Sequence, residues 1–140
     1  MRVSRTIYAV AAWLFVAGVA TQVFFAGMAV VARQWGWTNH TSLGHLLGAP
    51  LLVMLLTAYL GKLPGRMKRL TGLLFGVYIL QADVLIFMRA SAPVLSALHP
   101  VLALADFALG LALARQALAV IRTAEPSAAP QLRPDGMVGD

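Results

Sequence analysis

The stretch TIYAVAAWLFVAGVATQVFFAGMAVVA, residues 6–32, contains no charged side chain. It is longer than the roughly 20 residues that an α-helix needs to cross the hydrocarbon core of a bilayer. Residues 41–61 and 70–82 are also uncharged, while residues 70–88 and 92–114 each contain a single acid. Because lipid offers no hydrogen bonds to the backbone, such segments are expected to be helical. The sequence therefore predicts an all-α integral membrane protein with four spans.

The connections between the apolar segments are short, which predicts an up-down-up-down four-helix bundle. We expect the helices at about residues 4–33, 41–60, 67–90 and 92–123, within one domain of residues 1–123. Pro50 lies inside the second helix and should kink it. Residues 124–140 are rich in proline and poor in apolar side chains, which is typical of a mobile tail. No sequence repeat is apparent.

The charges are few and unevenly placed. Only 11% of residues are charged and 60% are hydrophobic, whereas a soluble domain carries about 25% charged residues. Arg33 and Arg89 fall in the first and third links, and the other nine basic residues fall on the opposite side of the predicted membrane. These nine are Arg2, Arg5, Lys62, Arg66, Lys68, Arg69, Arg115, Arg122 and Arg133. The positive-inside rule then places both termini, including the tail, in the cytoplasm. Contact with the lipid bilayer explains the net charge of +6 without a nucleic-acid partner.

Several kinds of chemistry are excluded by the residue types. The chain has no cysteine, which rules out disulfides, thiolate metal sites and cysteine nucleophiles. The sequence also contains no glycine-rich phosphate loop, HExxH motif or serine nucleophile elbow. These absences favour a non-catalytic electron-transfer or accessory subunit over an enzyme.

The three histidines all fall near the side of the membrane opposite the basic residues. His40 and His45 precede or begin the second helix, and His99 lies near the start of the fourth. Helices two and four of such a bundle are parallel and diagonally opposed, so their imidazoles are suited to bind a b-type haem between them. Five residues turn a helix by about 140°, so His40 and His45 point to different faces. Either one is a candidate partner for His99.

Other residues are candidates for supporting roles around this haem. Gly44 and Gly48 would allow close approach of the macrocycle, although small residues at this spacing are more often helix contacts. Arg33 and Arg89 are candidates to pair with haem propionates. Amides and acids at membrane depth usually face the bundle interior. The candidates of this kind are Gln22, Gln81, Asp83 and Asp106, with Asp83 placed to orient a ligating imidazole.

One face of the fourth helix is lined by polar and small residues. His99, Ala103, Asp106 and Gly110 follow the spacing i, i+4, i+7 and i+11 on an otherwise apolar helix. Asp106 fits two roles: a proton relay, or a structural acid held in its neutral form by burial. On the third helix, Gly72 and Gly76 form a small-residue pair typical of helix contacts.

Four short motifs occur in order along the chain: QVFFAG (22–27), HTSLG (40–44), LQ (80–81) and ALHPVLAL (97–104). Together they resemble a family of small four-helix bacterial membrane proteins of unknown function, over residues 5–118. The resemblance implies location in the bacterial inner membrane, His40 as the partner of His99, and Gln22 and Gln81 as supporting groups. This chain departs from the family pattern at Leu102, where asparagine is frequent, and by its additional His45. Hydrogen-bonding detail around the site is therefore not carried over. The architecture also resembles that of membrane b-type cytochromes.

These observations support three hypotheses. The first is a protein that binds one haem b near the extracytoplasmic face for electron transfer, either with a quinone or as a subunit of a larger complex. The metal ligands would be His99 and either His40 or His45. The second hypothesis is a cofactor-free accessory subunit in a homo- or hetero-oligomer. The third is a small proton or solute pathway lined by Gln22, Asp83, Asp106 and His99.

Overall fold

The computed structural model describes residues 1–34 and 36–123, which form four long helices and no strand. Helix α1 covers Arg2–Val30, α2 covers Thr38–Leu60, α3 covers Gly65–Phe87 and α4 covers Pro93–Thr123. All four are long and apolar enough to cross a membrane. The predicted all-α four-helix fold is confirmed. The mobile tail predicted at residues 124–140 lies outside the described residues.

The helices pack in chain order around a closed bundle. α1 packs against α2 and α4, and α3 also packs against α2 and α4. Nε of Arg5, near the start of α1, donates to the carbonyl oxygen of Gly61 just after α2, at 3.0 Å, so the two helices are antiparallel. Across the bundle, the hydroxyls of Tyr8 on α1 and Thr71 on α3 are hydrogen-bonded at 2.7 Å. α1 and α3 are therefore one diagonal pair, and α2 and α4 are the other.

The bundle has two chemically different ends. We call the end where Arg5 meets Gly61 the basic end, and the opposite end, where α2 and α4 begin, the histidine end. The described basic residues at or toward the basic end are Arg2, Arg5, Lys62, Arg66, Lys68, Arg69, Arg115 and Arg122. Arg133 lies outside the described residues. Arg33 and Arg89 lie at the histidine end, so the asymmetry expected from the sequence is present in the described part of the fold.

The core is a column of apolar side chains along the bundle axis. Its largest fully buried apolar members are Tyr8, Phe15, Leu51, Met54, Met67, Leu74 and Leu113. Close packing of these side chains stabilises the bundle, because each makes many dispersion contacts with its neighbours. The outward faces carry large apolar residues such as Leu14, Leu56 and Phe87, the last of them 89% exposed. This pattern, apolar inside and outside, is that of a multi-pass membrane protein.

Three of the four helices are interrupted near the histidine end. α2 consists of Thr38–Leu46 and Gly48–Leu60, with the break three residues before Pro50. Proline has no N–H to donate to the preceding turn, which accounts for a break at this point. α3 contains a π-helical turn at Leu80–Val84, and α4 begins with a single turn, Pro93–Ser96, before His99–Thr123. The irregular backbone therefore surrounds the histidines.

Candidate functional site

His40 lies in the first turn of α2 and is held by the backbone of α1. Its Nδ1 is 3.1 Å from the main-chain carbonyl oxygen of Gln22. The ring of Trp37 packs edge-on against the imidazole, with 5.4 Å between the ring centroids. These two contacts fix the orientation of a partly buried imidazole at the histidine end.

His99 is held in the same way by α3. Its Nδ1 is 2.9 Å from the main-chain carbonyl oxygen of Gln81. Gln81 is part of the π-helical turn of α3, in which hydrogen bonds run from residue i to i+5 instead of i+4. π turns are rare and are found most often at functional sites. Here the turn lies where the backbone of α3 bonds to the imidazole.

These contacts determine which nitrogen of each ring carries the proton. A carbonyl oxygen only accepts hydrogen bonds, so Nδ1 of both His40 and His99 must be the donor. In a neutral imidazole the other nitrogen, Nε2, then has a free lone pair. A metal-binding histidine is usually held in this way, with one ring N–H donated to a carbonyl or carboxylate. Both rings are therefore prepared to bind a metal through Nε2.

The two rings lie next to each other across the bundle axis. Their centroids are 6.0 Å apart, with the ring planes at 64°. A metal at about 2.0–2.1 Å from each of two opposed imidazole nitrogens places the ring centroids about 6 Å apart. The observed separation of 6.0 Å is close to this value.

The histidine pair has no further metal-binding side chains around it among the described residues. Within the described residues, no group of three or more His, Cys, Asp or Glu side chains is arranged to hold a metal ion. Structural zinc sites take four protein ligands and catalytic ones take three. His40 and His99 are the two imidazoles that lie next to each other at the histidine end.

His45 is separate from this pair. It is exposed, and its Nδ1 contacts the carbonyl oxygen of Thr41 in its own helix at 2.8 Å. The sequence left His40 and His45 open as partners of His99, and the resemblance favoured His40. The fold brings His40 and His99 together and places His45 on the outer surface of α2.

The two glycines of α2 face protein side chains. A Cβ added to Gly44 would lie 2.7 Å from Nε2 of Gln22, and one added to Gly48 would lie 3.2 Å from the hydroxyl of Tyr78. That hydroxyl also donates to the carbonyl oxygen of Gly44 at 2.8 Å. Gly44 and Gly48 therefore allow α1 and α3 to approach α2 closely.

The charged candidates of the histidine end lie on the surface. Arg33, Asp83 and Arg89 are all exposed. Arg33 follows α1 and has a φ of 54°, a left-handed conformation that is not helical. The groups that orient the two imidazoles are main-chain carbonyls, not the Asp83 carboxylate proposed from the sequence for that purpose.

The interior of the same half of the bundle contains oxygen atoms without donors. Oε1 of Gln22, Oε1 of Gln81 and both carboxyl oxygens of Asp106 are buried, and none has a hydrogen-bond partner among the described residues. Asp106 itself is 0% exposed. Buried polar groups without partners are uncommon, since each costs about 1–3 kcal/mol, and they mark places that call for a functional explanation.

The structure reveals an internal repeat that the sequence analysis missed. In both halves of the chain a glutamine carbonyl accepts from a histidine 18 residues later: Gln22 with His40, and Gln81 with His99. Each pair joins the end of one helix to the start of the next. The surrounding residues differ between the halves, so only the equal spacing of Gln and His could have indicated the repeat.

The comparisons with known proteins give a family match over part of the chain and no activity. Residues 22–86 match the model of a family of unknown function, DUF6220. The resemblance drawn from the sequence motifs is confirmed in that region, which contains QVFFAG, HTSLG and LQ, whereas ALHPVLAL lies beyond it. No curated protein and no solved structure matches the chain.

Proposed function

We propose that this protein binds one b-type haem between α2 and α4 at the histidine end, with His40 and His99 as axial ligands, and that it serves in electron transfer. The observation that carries the proposal is the pair of imidazoles 6.0 Å apart, each with Nδ1 bound to a carbonyl oxygen. The absence of a third ligand among the described residues favours haem over a bare metal ion.

The haem would supply the one-electron chemistry, and the protein would supply ligation and orientation. His40 and His99 would hold the haem through Nε2, since Nδ1 of each ring is hydrogen-bonded to the backbone of α1 or α3. Arg33 and Arg89 are the cations of the histidine end and are exposed, so they are available to pair with the propionates. Electron donors and acceptors would be a membrane quinone or another redox subunit.

The absorption spectrum of the protein, purified from a membrane fraction, tests this proposal. We expect a Soret band, sharp α and β bands on reduction, and one haem per chain by pyridine haemochrome assay. Protein expressed with limiting haem should recover the same spectrum when haem is added. A preparation that stays colourless after haem addition would refute the proposal and leave the cofactor-free accessory subunit as the better reading.

The orientation of the chain can be tested separately from the cofactor. The described basic residues gather at one end of the bundle, which predicts that this end is cytoplasmic and the histidine end extracytoplasmic. Reporter fusions after residue 140 and within residues 36–39 should report opposite compartments, with the C-terminal fusion in the cytoplasm. The reverse result would place the histidines on the cytoplasmic side.

A second candidate function is a proton pathway through the bundle. It is favoured by one observation, the completely buried Asp106 with two unpartnered oxygens. A titratable group inside a membrane protein is by default a candidate for proton relay. In such a pathway, the carboxyl group of Asp106 would bind and release a proton.

A further inference from the structure

Asp106 lies in the middle of an apolar helix and is completely enclosed by the bundle. Its residue exposure is 0%, and neither carboxyl oxygen has a hydrogen-bond partner among the described residues. No ion pair compensates it within that part of the chain. An unpaired carboxylate anion in such surroundings is far less stable than the neutral acid. The stable form of Asp106 is therefore the protonated acid, and its O–H group requires a hydrogen-bond acceptor.

The acceptor is available on α3. The amide side chain of Gln81 lies within hydrogen-bonding reach of the Asp106 carboxyl group. Oε1 of Gln81 is itself buried and without a donor. Both side chains thus contain a buried oxygen that no donor among the described residues reaches. One proton on Asp106, donated to Oε1 of Gln81, gives a partner to both groups at once.

Gln81 also connects this acid to the histidine pair. Its main-chain carbonyl accepts from Nδ1 of His99, while its side chain lies against Asp106. Asp106 follows His99 by seven residues on the same helix, a distance of about 10 Å along the axis. A single residue in the π turn of α3 therefore touches both the imidazole and the buried acid.

The other half of the chain lacks the acid. Leu47 follows His40 by seven residues, as Asp106 follows His99, and Leu47 is buried and apolar. With leucine at both positions, the two halves of the repeat would be chemically equivalent at this point. The acid is thus a feature of the α3–α4 half and is not needed to build the repeat.

We propose that Asp106 and Gln81 form a proton-binding site in the membrane interior, in which the protonated carboxyl of Asp106 donates to Oε1 of Gln81. The ligand is a single proton, and the site exists whether or not haem is bound. The titratable side chains that interact with this region are Tyr78 and Asp83 on α3 and His99 on α4, with His40 facing from α2. Tyr78 is engaged with the carbonyl of Gly44, so it is not the donor.

Infrared spectroscopy of the haem-free protein in detergent tests the site directly. The chain contains only five acidic residues, so the C=O stretch of one protonated carboxyl group can be resolved at neutral pH. We expect this band in the wild type, with a shift to lower frequency in D2O. It should disappear in Asp106→Asn and remain in Asp83→Asn, the control at an exposed acid of the neighbouring helix. A wild type without the band, or a band that survives in Asp106→Asn, would overturn the proposal.

The pairing with Gln81 has its own test. Removal of the acceptor in Gln81→Leu should move the carboxyl band to higher frequency, because the hydrogen bond to the acid is lost. Gln22→Leu is the matched control, since it removes the corresponding buried amide of α1 and should leave the frequency unchanged. An unchanged band in Gln81→Leu, or a shift in Gln22→Leu alone, would contradict the assignment of the acceptor.

The same site predicts the stability of the Asp106 variants. Asn replaces the neutral acid at nearly the same volume and donates a hydrogen bond from its amide, so Asp106→Asn should retain the wild-type melting temperature. Asp106→Leu removes the donor and leaves Oε1 of Gln81 without a partner, so its melting temperature should be lower. Equal melting temperatures for Asp106→Leu and the wild type would overturn the buried pair.

Discussion

Replacement of either His40 or His99 by alanine is expected to abolish the low-spin haem spectrum. Each variant removes one of two imidazoles whose ring centroids lie 6.0 Å apart on diagonal helices. Loss of a group that only orients a metal ligand already lowers metal affinity by about 10- to 100-fold, so loss of the ligand itself should exceed this. Absorption spectra of the reduced proteins and a haem titration measure the effect.

His45→Ala is the matched control for this experiment. The side chain of His45 is exposed and its hydrogen bond is to its own helix, so its loss should leave the spectrum and the haem affinity unchanged. If His45→Ala removes the spectrum while His40→Ala retains it, the pairing of His40 with His99 is wrong. If all three variants retain the wild-type spectrum, histidine is not the ligand.

The second large effect is expected at Gly110, where α4 meets α1. A Cβ at this position would lie 3.0 Å from Cδ1 of Phe15 and 3.3 Å from Cγ2 of Val16. Phe15 is 0% exposed, and side chains in a closely packed core have little room to move. Gly110→Leu should therefore destabilise the bundle by about 1–3 kcal/mol or more, the usual cost of overpacking. Thermal unfolding in detergent measures this loss.

The control is Gly72→Leu, on the exposed face of α3. A Cβ at Gly72 meets no atom within 4 Å, so the larger side chain has room. Glycine is a poor helix former, and its replacement should change stability by no more than about 1 kcal/mol. A Gly110→Leu variant as stable as Gly72→Leu would show that the contact between Gly110 and Phe15 is not a tight one.

The sequence was sufficient to predict the fold class because the bilayer constrains it so strongly. Uncharged segments of membrane-spanning length must be helical, and short links make consecutive helices antiparallel. The same reasoning placed His99, Asp106 and Gly110 on one face of α4, since helical periodicity is a local property. Asp106 and Gly110 are indeed buried together.

The choice between His40 and His45 could not be made from local periodicity. It depends on the rotation of α2 about its own axis, which is set by the packing of Gly44 and Gly48 against Gln22 and Tyr78. The spacing of the two histidines shows only that they face different ways. Packing between helices then places one of them at the bundle axis and leaves the other exposed.

The sequence by itself determined four membrane-length helices, their order and the gathering of basic residues at one end. Those features follow from hydrophobicity and charge, which act residue by residue. Only the tertiary structure decided that Gln22 and Gln81 hold the imidazoles through their backbones, and that Gln81 also faces Asp106. These contacts join residues on different helices, and those of Gln81 lie in the π turn of α3, a change of helical register that no local pattern of side chains specified.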